Sequence, residues 1–454
     1  MRGKISVDQL TAAVDRGDID TVLVALPDMQ GRLVGKRVTG HYFCDQIDSE
    51  LHVCDYLLTV DIEMEPVPGY AAASWDAGYG DIAIRPDLST LRVVPWLEAT
   101  AMVICDAFDH HGRPVPHAPR TVLRNQLARL AQRGWEARIG SELEFYLFDE
   151  TYTSAHESGY RGLAHTGWYI EDYHLFQTTK EEGLIRAVRN AMDAAGVPVE
   201  FSKGEWGPGQ QEINLRFAEA LEMADRHVIY KTAVKEMAWQ HDRAATFMAK
   251  FDTELAGSSC HVHSSLWADG DRALFARPPG GEDTPEFRGW VAGLLSLAPA
   301  STLFFAPNVN SYKRFVSGTF APTRLAWSED NRTAGFRAVG TGSGRRIECR
   351  IPGADVNPYM VFAATVAAGL HGIDEGLDPG PPVGGNIYEA DTDEVPEVPS
   401  NLRDAVAELD ASAAMRAALG DDVVDHYIHA ARWEISEHDR RVTDVERLRL
   451  FEQG

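Results

Sequence analysis

The sequence predicts an α+β protein of two domains, a small one built on a mixed sheet and a larger one. The chain has 454 residues, which is too long for one ordinary core and long enough for two. Short apolar runs between turn residues occupy the first hundred residues. Beyond a segment rich in Pro and His at 109–116, amphipathic helices alternate with short strands. We therefore expect residues 1–110 to form the first domain and residues 111–454 the second.

The first domain begins with a predicted β-hairpin. Two apolar runs, at 21–26 and 32–38, flank a turn cluster at 27–31. Further extended runs at 81–84 and 100–105 complete a small mixed sheet.

Amphipathic helices dominate the second domain. Apolar side chains recur at helical spacing in two segments that each precede a glycine: Leu123, Leu127 and Leu130 before Gly134, and Leu184, Ile185, Val188 and Met192 before Gly196. The apolar stretch at 359–370 is shorter than the roughly 20 residues that span a bilayer, so it predicts a buried helix. The charged tail at 401–451 is also expected to be helical.

Composition excludes several classes of protein. A formal net charge of -25 opposes nonspecific binding to nucleic acid or anionic membranes, since both are polyanions. The five cysteines are scattered and lack CxxC spacing, so they indicate neither a disulfide framework nor a zinc site. The N-terminus has no apolar core of a signal peptide. We expect a cytoplasmic protein without nucleic-acid or membrane partners.

Acidic and apolar residues alternate over 141–148. A strand there would place Glu142 and Glu144 on one face and Leu143 and Phe145 in the core. Two adjacent carboxylates repel each other, and a bound divalent cation would favour both ionised forms. An edge strand with a solvated acidic face explains the same pattern, and this motif alone does not separate the two interpretations.

Two further motifs are ambiguous when each is taken alone. The loop at 203–214 sets Glu205 and Glu212 around glycines and a proline, which favours a surface turn with solvated acids over an ion-binding loop. His261 and His263 alternate around Val262, so a strand would put both imidazoles on one face. Such a pair is more often structural than ligating.

Residues 345–350 repeat the alternation, with Arg346, Glu348 and Arg350 on one face, although an exposed salt-bridged strand explains this segment equally well. Three such strands together predict one sheet that lines a charged cavity. Five carboxylates with one imidazole suit Mg²⁺ or Mn²⁺ rather than zinc. Arginines that can bind phosphates and carboxylates are Arg314, Arg332, Arg337, Arg346 and Arg350. The combination predicts metal-assisted phosphoryl transfer.

The order of these motifs resembles that of the glutamine synthetase family. The match runs from about residue 20 to the C-terminus through GSELEF, GEWGPGQQEIN, GSSCHVHSSL, NSYKRF…FAPT, DNRTAGFR, RRIECR and VNPY. The resemblance implies a β-grasp-like N-terminal domain and a catalytic domain with a curved antiparallel sheet and flanking helices. It also implies a dodecamer of two stacked hexameric rings, with active sites between neighbouring subunits.

Carried over by position, the resemblance implies at least two divalent ions in each site. The implied ligands are Glu144, Glu205 and Glu212 for the ion near the amino-acid substrate, and Glu142, His261 and Glu348 for the ion near the nucleotide phosphates. All six positions hold the residue expected in the family.

The resemblance also implies the substrate contacts. Arg314, Arg350 and the backbone of Gly257 would hold glutamate. Residues implied in ATP binding and phosphoryl transfer are Arg332, Arg337 and Arg346, with His263, Ser265, Phe217 and Glu200 as further nucleotide contacts. Tyr388 aligns with a tyrosine that some members adenylylate, and we favour a structural role for it.

The chain departs from the family at the predicted ammonium site. Phe320 stands where the family has a flap glutamate that guards this site and helps to deprotonate ammonium. The Asp-Gly-Ser-Ser segment, whose Asp shares that task, is also missing. Ala256 and the pair Ser259-Cys260 are smaller departures near the predicted glutamate site. The chain thus keeps what activates glutamate and changes what attacks it.

These features predict an ATP-dependent ligase that joins L-glutamate to a primary amine through γ-glutamyl phosphate, in nitrogen assimilation or amine detoxification. Ethanolamine, a short alkylamine or a polyamine would suit an apolar Phe320, and Asp61, Glu63 and Glu65 are candidates near a cationic tail. An authentic glutamine synthetase with a rebuilt ammonium site is the alternative. A non-catalytic, ring-forming paralogue is disfavoured because all six predicted metal ligands are present.

Overall fold

A mixed sheet of six strands forms the N-terminal part of the molecule in the computed structural model, which describes residues 2–47, 49–75, 78–278, 280–391 and 394–454. The elements of this part are α1 (Val7–Asp15), β1 (Thr21–Pro27), β2 (Leu33–Thr39), α2 (Gly40–Asp45), β3 (Leu51–Cys54), β4 (Asp81–Pro86), β5 (Arg92–Val93) and β6 (Thr100–Phe108). The predicted hairpin is confirmed, since β1 and β2 pair in antiparallel register. The mixed character follows from β1 and β6, which pair in parallel.

The larger sheet contains ten strands among the described residues and is antiparallel except between its first two strands in spatial order. Its strands are β7 (Trp135–Phe148), β8 (Val199–Gly204), β9 (Gln210–Leu215), β10 (Ala218–Glu219), β11 (Ala244–Thr246), β12 (Cys260–Ala268), β13 (Arg272–Ala273), β14 (Trp327–Glu329), β15 (Phe336–Val339) and β16 (Arg346–Cys349). The main path runs β14-β15-β16-β12-β7-β9-β8.

Helices make up much of the rest of this part of the chain, as the α+β prediction requires. They are α3 (Pro119–Ala131), α4 (Tyr152–Glu157), α5 (Leu175–Thr178), α6 (Glu182–Ala194), α7 (Ala220–Gln240), α8 (Pro285–Phe305), α9 (Pro358–Asp374), α10 (Leu402–Ala411), α11 (Ala413–Leu419), α12 (Asp421–Asp439) and α13 (Asp444–Leu450). The predicted amphipathic segments are confirmed in α3 and α6, and the helical tail in α10 to α13.

The predicted buried helix is α9, which packs closely against α8. A Cβ atom on Gly293 of α8 would lie 2.0 Å from the carbonyl oxygen of Ala368 in α9, and one on Gly372 would lie 2.0 Å from that of Gly289. Glycine is therefore required at both positions for the two backbones to approach. Within the described ranges, no helix combines the length and apolar character needed to cross a membrane.

The predicted domain boundary falls between the end of β6 and the start of α3. The two parts share packing across it, because Met29, Trp96 and Met102 join the core of the larger sheet. The buried guanidinium of Arg120 also donates across it to Asp106 at 2.7 Å, and on its own side to Asp225 at 2.9 Å. The division into residues 1–110 and 111–454 stays a prediction.

Strand order brings the three charged motifs together. Strands β16, β12 and β7 are neighbours, so their charged faces form one surface. The edge-strand interpretation of 141–148 is wrong, because β7 pairs with β12 on one side and with β9 on the other. Leu143 and Phe145 are buried in the core as expected.

Candidate active site

Strand register places the six predicted metal ligands in two groups near the centre of the larger sheet. Two pairs lie directly opposite each other, Glu142 with His261 and Glu144 with Glu212. Glu348 of β16 joins the first pair, and Glu205 of the β8–β9 loop joins the second. We call these the first and second acid groups. Within each group the candidate ligand atoms lie within 4.8 Å of one another, so they can converge on one cation.

The second acid group, Glu144, Glu205 and Glu212, carries crowded negative charge. Burial, followed by the charge of Glu205, raises the pKa of Glu144 to about 8. Burial and the same neighbour raise the pKa of Glu212 well above its ordinary value. A divalent cation would offset this repulsion, so the donor set fits Mg²⁺ or Mn²⁺.

The surface-turn interpretation of 203–214 is wrong for Glu212, although Glu205 does lie in the turn. Glu212 is only 3% exposed because it lies in β9, an inner strand held between β7 and β8. The glycines and the proline form the connection between β8 and β9 rather than a solvated loop around both acids. The local sequence predicts the turn correctly. It does not predict that β9, the strand after the turn, is paired on both sides.

Hydrogen bonds orient the carboxylate of Glu144. The backbone N–H of Ser259 donates to its Oε2 atom at 2.9 Å, and the side-chain amide of Gln210 donates to the same atom at 3.1 Å. Supporting contacts of this kind fix the direction in which a metal ligand points. Ser259 is one of the departures from the family pattern, and the contact of the Gln210 side chain with Glu144 is one that the sequence does not predict.

The first acid group, Glu142, His261 and Glu348, lies against imidazole and guanidinium groups that stabilise its ionised carboxylates. Burial raises the pKa of Glu142, but the imidazoles of His263 and His261 outweigh burial and hold this pKa below its ordinary value. Burial likewise opposes ionisation of Glu348, yet Arg350 and the two imidazoles lower its pKa to about 2. Burial lowers the pKa of His261, which favours the neutral imidazole that binds metals.

Glu348 also contradicts the interpretation of β16 as an exposed salt-bridged strand. This carboxylate is 1% exposed and accepts hydrogen bonds from Arg350 Nη1 at 2.5 Å and from Arg337 Nη1 at 2.9 Å. The strand is an inner one, paired with β12 and β15. Its charged face is therefore turned toward the acid groups at Glu348 and Arg350, whereas Arg346 at the start of the strand is exposed.

One cavity of about 540 Å³ contains both acid groups. The other predicted site residues that line it are Gly257, Arg314, Phe320, Arg332, Arg337 and Arg350. Carboxylates that could hold metal and arginines that could hold anions thus share one space. This is the arrangement that metal-assisted transfer between anionic substrates requires.

The two arginines expected to hold glutamate each keep an unpaired N–H group. Arg314 Nη2 donates to the carbonyl oxygens of Arg350 at 3.2 Å and Pro352 at 3.1 Å. In the described part of the chain, the buried Nε atoms of Arg314 and Arg350 have no hydrogen-bond partner. Buried donors of this kind normally bind something, which supports an anionic substrate. Because Nη2 of Arg314 is already engaged, we expect single contacts rather than a two-pronged clamp at this residue.

Gly257→Ala is expected to raise KM for glutamate by about 10-fold to 100-fold, because small displacements of a substrate-holding group have effects of this size. The new Cβ atom would lie 2.4 Å from Cγ of Arg314 and 2.7 Å from the carbonyl oxygen of Ala249, so Arg314 must move. Steady-state kinetics against glutamate measure the change. Gly183→Ala in α6 is the matched control, since nothing lies within 4 Å of its added Cβ atom. Equal KM values for both variants would contradict this role of Arg314.

Five predicted contacts lie outside the residues that line this cavity: Phe217, Glu200, His263, Ser265 and Arg346. His263 adjoins the cavity, because its Nε2 atom is 2.8 Å from Glu142 and its Nδ1 atom accepts from Arg346 Nε at 3.1 Å. Glu200 lines a neighbouring cavity of about 520 Å³ instead. The roles of these residues toward the nucleotide stay predictions.

Aromatic side chains form a rim that sequence reasoning recognised only at Phe320. The rings of Trp206 and Phe320 meet edge to face at 5.9 Å and are 50% and 48% exposed. Tyr173 lines the same cavity. Phe320 has a φ of 59°, a left-handed conformation that is uncommon for an aromatic residue. The sequence feature that indicates a place for Trp206 near the site is its position directly after Glu205, a predicted metal ligand.

Other candidate residues lie as follows. The role proposed for the acids near a cationic tail stays a prediction: within this chain Asp61 accepts from Trp433 Nε1 at 3.2 Å and Glu63 pairs with Arg441 at 2.9 Å, so both contact the C-terminal part of the chain. Neither they nor Glu65 line the cavity of the acid groups.

The hydroxyl of Tyr388 donates to the carbonyl oxygen of Ala321 at 3.1 Å, next to Phe320. That contact agrees with a structural role for Tyr388, which stays a prediction.

Divalent cations are expected to stabilise the folded protein more strongly as pH rises. Without an ion, the pKa values of Glu144 and Glu212 lie above their ordinary value of 4.5, so the folded state binds more protons than the unfolded state. The free energy of unfolding therefore falls as pH rises from 4.5 toward about 8. An ion held by both carboxylates removes this loss.

The measurement is the shift in Tm caused by Mg²⁺ or Mn²⁺ across that pH range. We expect the shift to grow with pH in the wild type and to grow less in Glu144→Gln. A shift that is constant or shrinks with pH would contradict the placement of the ion in the second acid group.

The family-model match identifies the class of protein. A model described as the catalytic domain of glutamine synthetase matches residues 116–450. Together with the fold and the two acid groups, this match establishes that the chain belongs to the glutamine synthetase family.

Two relatives and one solved structure show which members of the family this chain resembles. The γ-glutamylethanolamide synthetase of Streptomyces coelicolor is 48% identical over 99% of this chain and 96% of its own length. The glutamate–isopropylamine ligase of a Pseudomonas species is 34% identical over 97% of this chain and 96% of its own length. A solved structure described as a complex of GmaS with ADP superposes with a TM-score of 0.85 at 28% identity, covering 98% of this chain and all of that one.

Proposed function

We propose that this protein is an ATP-dependent ligase that joins L-glutamate to an organic primary amine and forms a γ-glutamyl amide. The observation that carries this proposal is the presence, in one cavity, of both acid groups and an aromatic rim where the family's flap acid is expected. The two relatives named above act, by their names, with ethanolamine and isopropylamine. Both amines have carbon bodies that an apolar rim suits.

The proposed reaction has two steps. An oxygen of the glutamate γ-carboxylate attacks the γ-phosphorus of ATP, an O–P bond forms, and ADP leaves, which gives γ-glutamyl phosphate. The amine nitrogen then attacks the γ-carbon, a C–N bond forms, and phosphate leaves with the bonding electrons. Divalent ions held by the acid groups would supply electrostatic stabilisation of the phosphate charges.

The residues of the cavity have separate parts in this reaction. Arg314 and Arg350 hold the carboxylates of glutamate through their unpaired N–H groups. Arg332 and Arg337 line the same cavity and neutralise charge on the phosphoryl group as it moves. Trp206 and Phe320 cover the carbon body of the amine and exclude water from the reactive acyl phosphate.

Homo-oligomerisation, as a dodecamer of two hexameric rings, is part of the proposal. A run of exposed apolar and aromatic side chains supports it: Trp168, Tyr169, Ile170, Tyr173, Leu175 and Phe176. A patch of this kind marks a surface for protein contact. Sedimentation velocity tests the assembly, and a protein that stays monomeric at micromolar concentration would contradict it.

All five cysteines are free, which supports a reducing cytoplasmic location.

The test of the function is phosphate release with ATP and glutamate across a panel of nucleophiles. The panel contains ethanolamine, short alkylamines, putrescine, spermidine and ammonium, each varied to give kcat/KM. We expect at least one organic amine to exceed ammonium. An authentic glutamine synthetase, the alternative, would use ammonium best, and a non-catalytic paralogue would release no phosphate with any nucleophile.

A further inference from the structure

We propose that Asp172 is the catalytic residue that binds the protonated amine substrate, R–NH₃⁺, and removes a proton from it. This inference rests on the proposed function, because it supplies the base that a ligase without a flap acid needs. Six carboxylates line the cavity within the described chain. Five of them belong to the acid groups, which leaves Asp172 as the carboxylate that no predicted metal ligand role occupies.

The structure shows an alkylammonium group already bound at Asp172. Lys203 carries a primary ammonium on a hydrocarbon stem, the same chemical group that an alkylamine substrate presents. Its Nζ atom is 3.3 Å from Asp172 Oδ1, contacts Glu205 as well, and lies 4.6 Å from the centre of the Tyr173 ring. Two carboxylates and an aromatic face are favourable partners for such a cation.

The position of Asp172 also suits attack on the activated glutamate. Asp172 and Glu205 contact the same nitrogen atom, so their oxygens lie only a few ångströms apart. A backbone bridge between Asp172 and Gly204 fixes this proximity. An amine nitrogen held at Asp172 is therefore next to the second acid group, on the side of the cavity that we assign to glutamate. Trp206 and Phe320 line that cavity and are available to the amine's carbon body.

Lys203 must give way for the substrate to occupy this place. Its nearest carboxylate partner in the structure is Glu205, which it contacts more closely than it contacts Asp172. If Glu205 held a divalent cation, its carboxylate would no longer be available to pair with Lys203. The flexible stem of Lys203 then allows the ammonium to move, and Asp172, with a side chain 29% exposed, accepts the substrate.

The proton transfers balance as follows. The carboxylate of Asp172 takes one proton from the bound R–NH₃⁺ and becomes a carboxylic acid, which leaves R–NH₂ with a free electron pair. That pair forms the C–N bond while the bond from carbon to the phosphate oxygen breaks. The second proton leaves the nitrogen with the departing phosphate, and Asp172 returns its proton to water. No oxidant or further reactant is required.

The experiment compares ethanolamine with hydroxylamine as nucleophile for Asp172→Asn, with saturating ATP, glutamate and Mg²⁺. Hydroxylamine is uncharged at neutral pH and needs no base to free its electron pair. We expect kcat/KM for ethanolamine to fall by about 10²-fold to 10⁴-fold, the usual contribution of a general base, while hydroxylamine turnover stays close to wild type. Ethanolamine turnover by the variant should also recover with rising pH, as free amine becomes available.

Asp271→Asn, at an exposed acid between β12 and β13, is the matched control and should behave as wild type with both nucleophiles. Wild-type ethanolamine kinetics in Asp172→Asn, or an equal loss with both nucleophiles, would overturn the role of Asp172. If that variant does not fold, Asp172→Glu carries the test, with a loss confined to ethanolamine expected and an equal loss overturning the role. Failure of the proposed function is distinguishable, because the wild type would then use no organic amine.

Discussion

Glu144→Gln is expected to lower ATP- and glutamate-dependent phosphate release by about a thousand-fold, because it removes one ligand of a charge-neutralising ion worth several kcal/mol to the transition state. This substitution is expected to disturb the folded structure very little. Since the pKa of Glu144 is raised to about 8, the glutamine amide replaces a carboxyl that is largely protonated in the ion-free protein at neutral pH. The thermal transition, and the proposed oligomer, should therefore survive.

Glu348→Gln is expected to lose activity to a similar extent through the first acid group, at some cost in stability. Its carboxylate accepts hydrogen bonds from Arg337 and Arg350, and the neutral amide leaves these cations less compensated. Glu136→Gln, an exposed acid at the start of β7, is the control and should keep wild-type turnover. Phosphate release by wild-type protein in excess chelator would contradict the metal assignment outright.

Phe320→Ala is expected to erode the preference for amines over ammonium by roughly one decade or more. Burial of a methylene contributes about 0.8 kcal/mol, so a two- or three-carbon amine gains roughly one to two decades from an apolar wall. Proton removal alone cannot supply this preference, since ammonium and alkylamines are both largely protonated at neutral pH. The measured quantity is the ratio of kcat/KM for ethanolamine to kcat/KM for ammonium.

Tyr160→Ala is a close control for this change. Tyr160 is an exposed aromatic residue with the same φ of 59° as Phe320, so both variants place alanine in a left-handed conformation. Only Phe320 lines the cavity. A ratio that is unchanged in Phe320→Ala, or that falls equally in both variants, would exclude Phe320 as a determinant of nucleophile choice.

Sequence alone predicted the charged faces of the sheet because side chains alternate in a strand whatever its surroundings. The placement of Glu142, Glu144 and His261 on charged strand faces followed from that alternation. The family resemblance then assigned them as ligands of two separate ions. The error over Glu212 arose from a quantity that local sequence does not carry, namely which strands would cover β9 on each side.

Contacts between distant segments were the main features that sequence reasoning missed. Asp172 meets Lys203 across 31 positions, and Arg120 meets Asp225 across 105. Neither pair shares an element, so no helical or strand period connects them. Asp172 moreover lies in an irregular segment before α5, where no hydrophobic pattern assigns a face to a side chain. The register between segments, which tertiary packing sets, decides such contacts.

The most direct test of the central claim is a competition between ammonium and an organic amine in one reaction. Purified protein is supplied with ATP, glutamate, Mg²⁺ and equal concentrations of ammonium and ethanolamine, and mass spectrometry measures the initial rates of formation of glutamine and γ-glutamylethanolamide. Methylamine, isopropylamine, putrescine and spermidine then replace ethanolamine in turn. We expect the γ-glutamyl amide of at least one amine to form about ten times faster than glutamine. Glutamine as the faster product against every amine would contradict the account and identify an authentic glutamine synthetase.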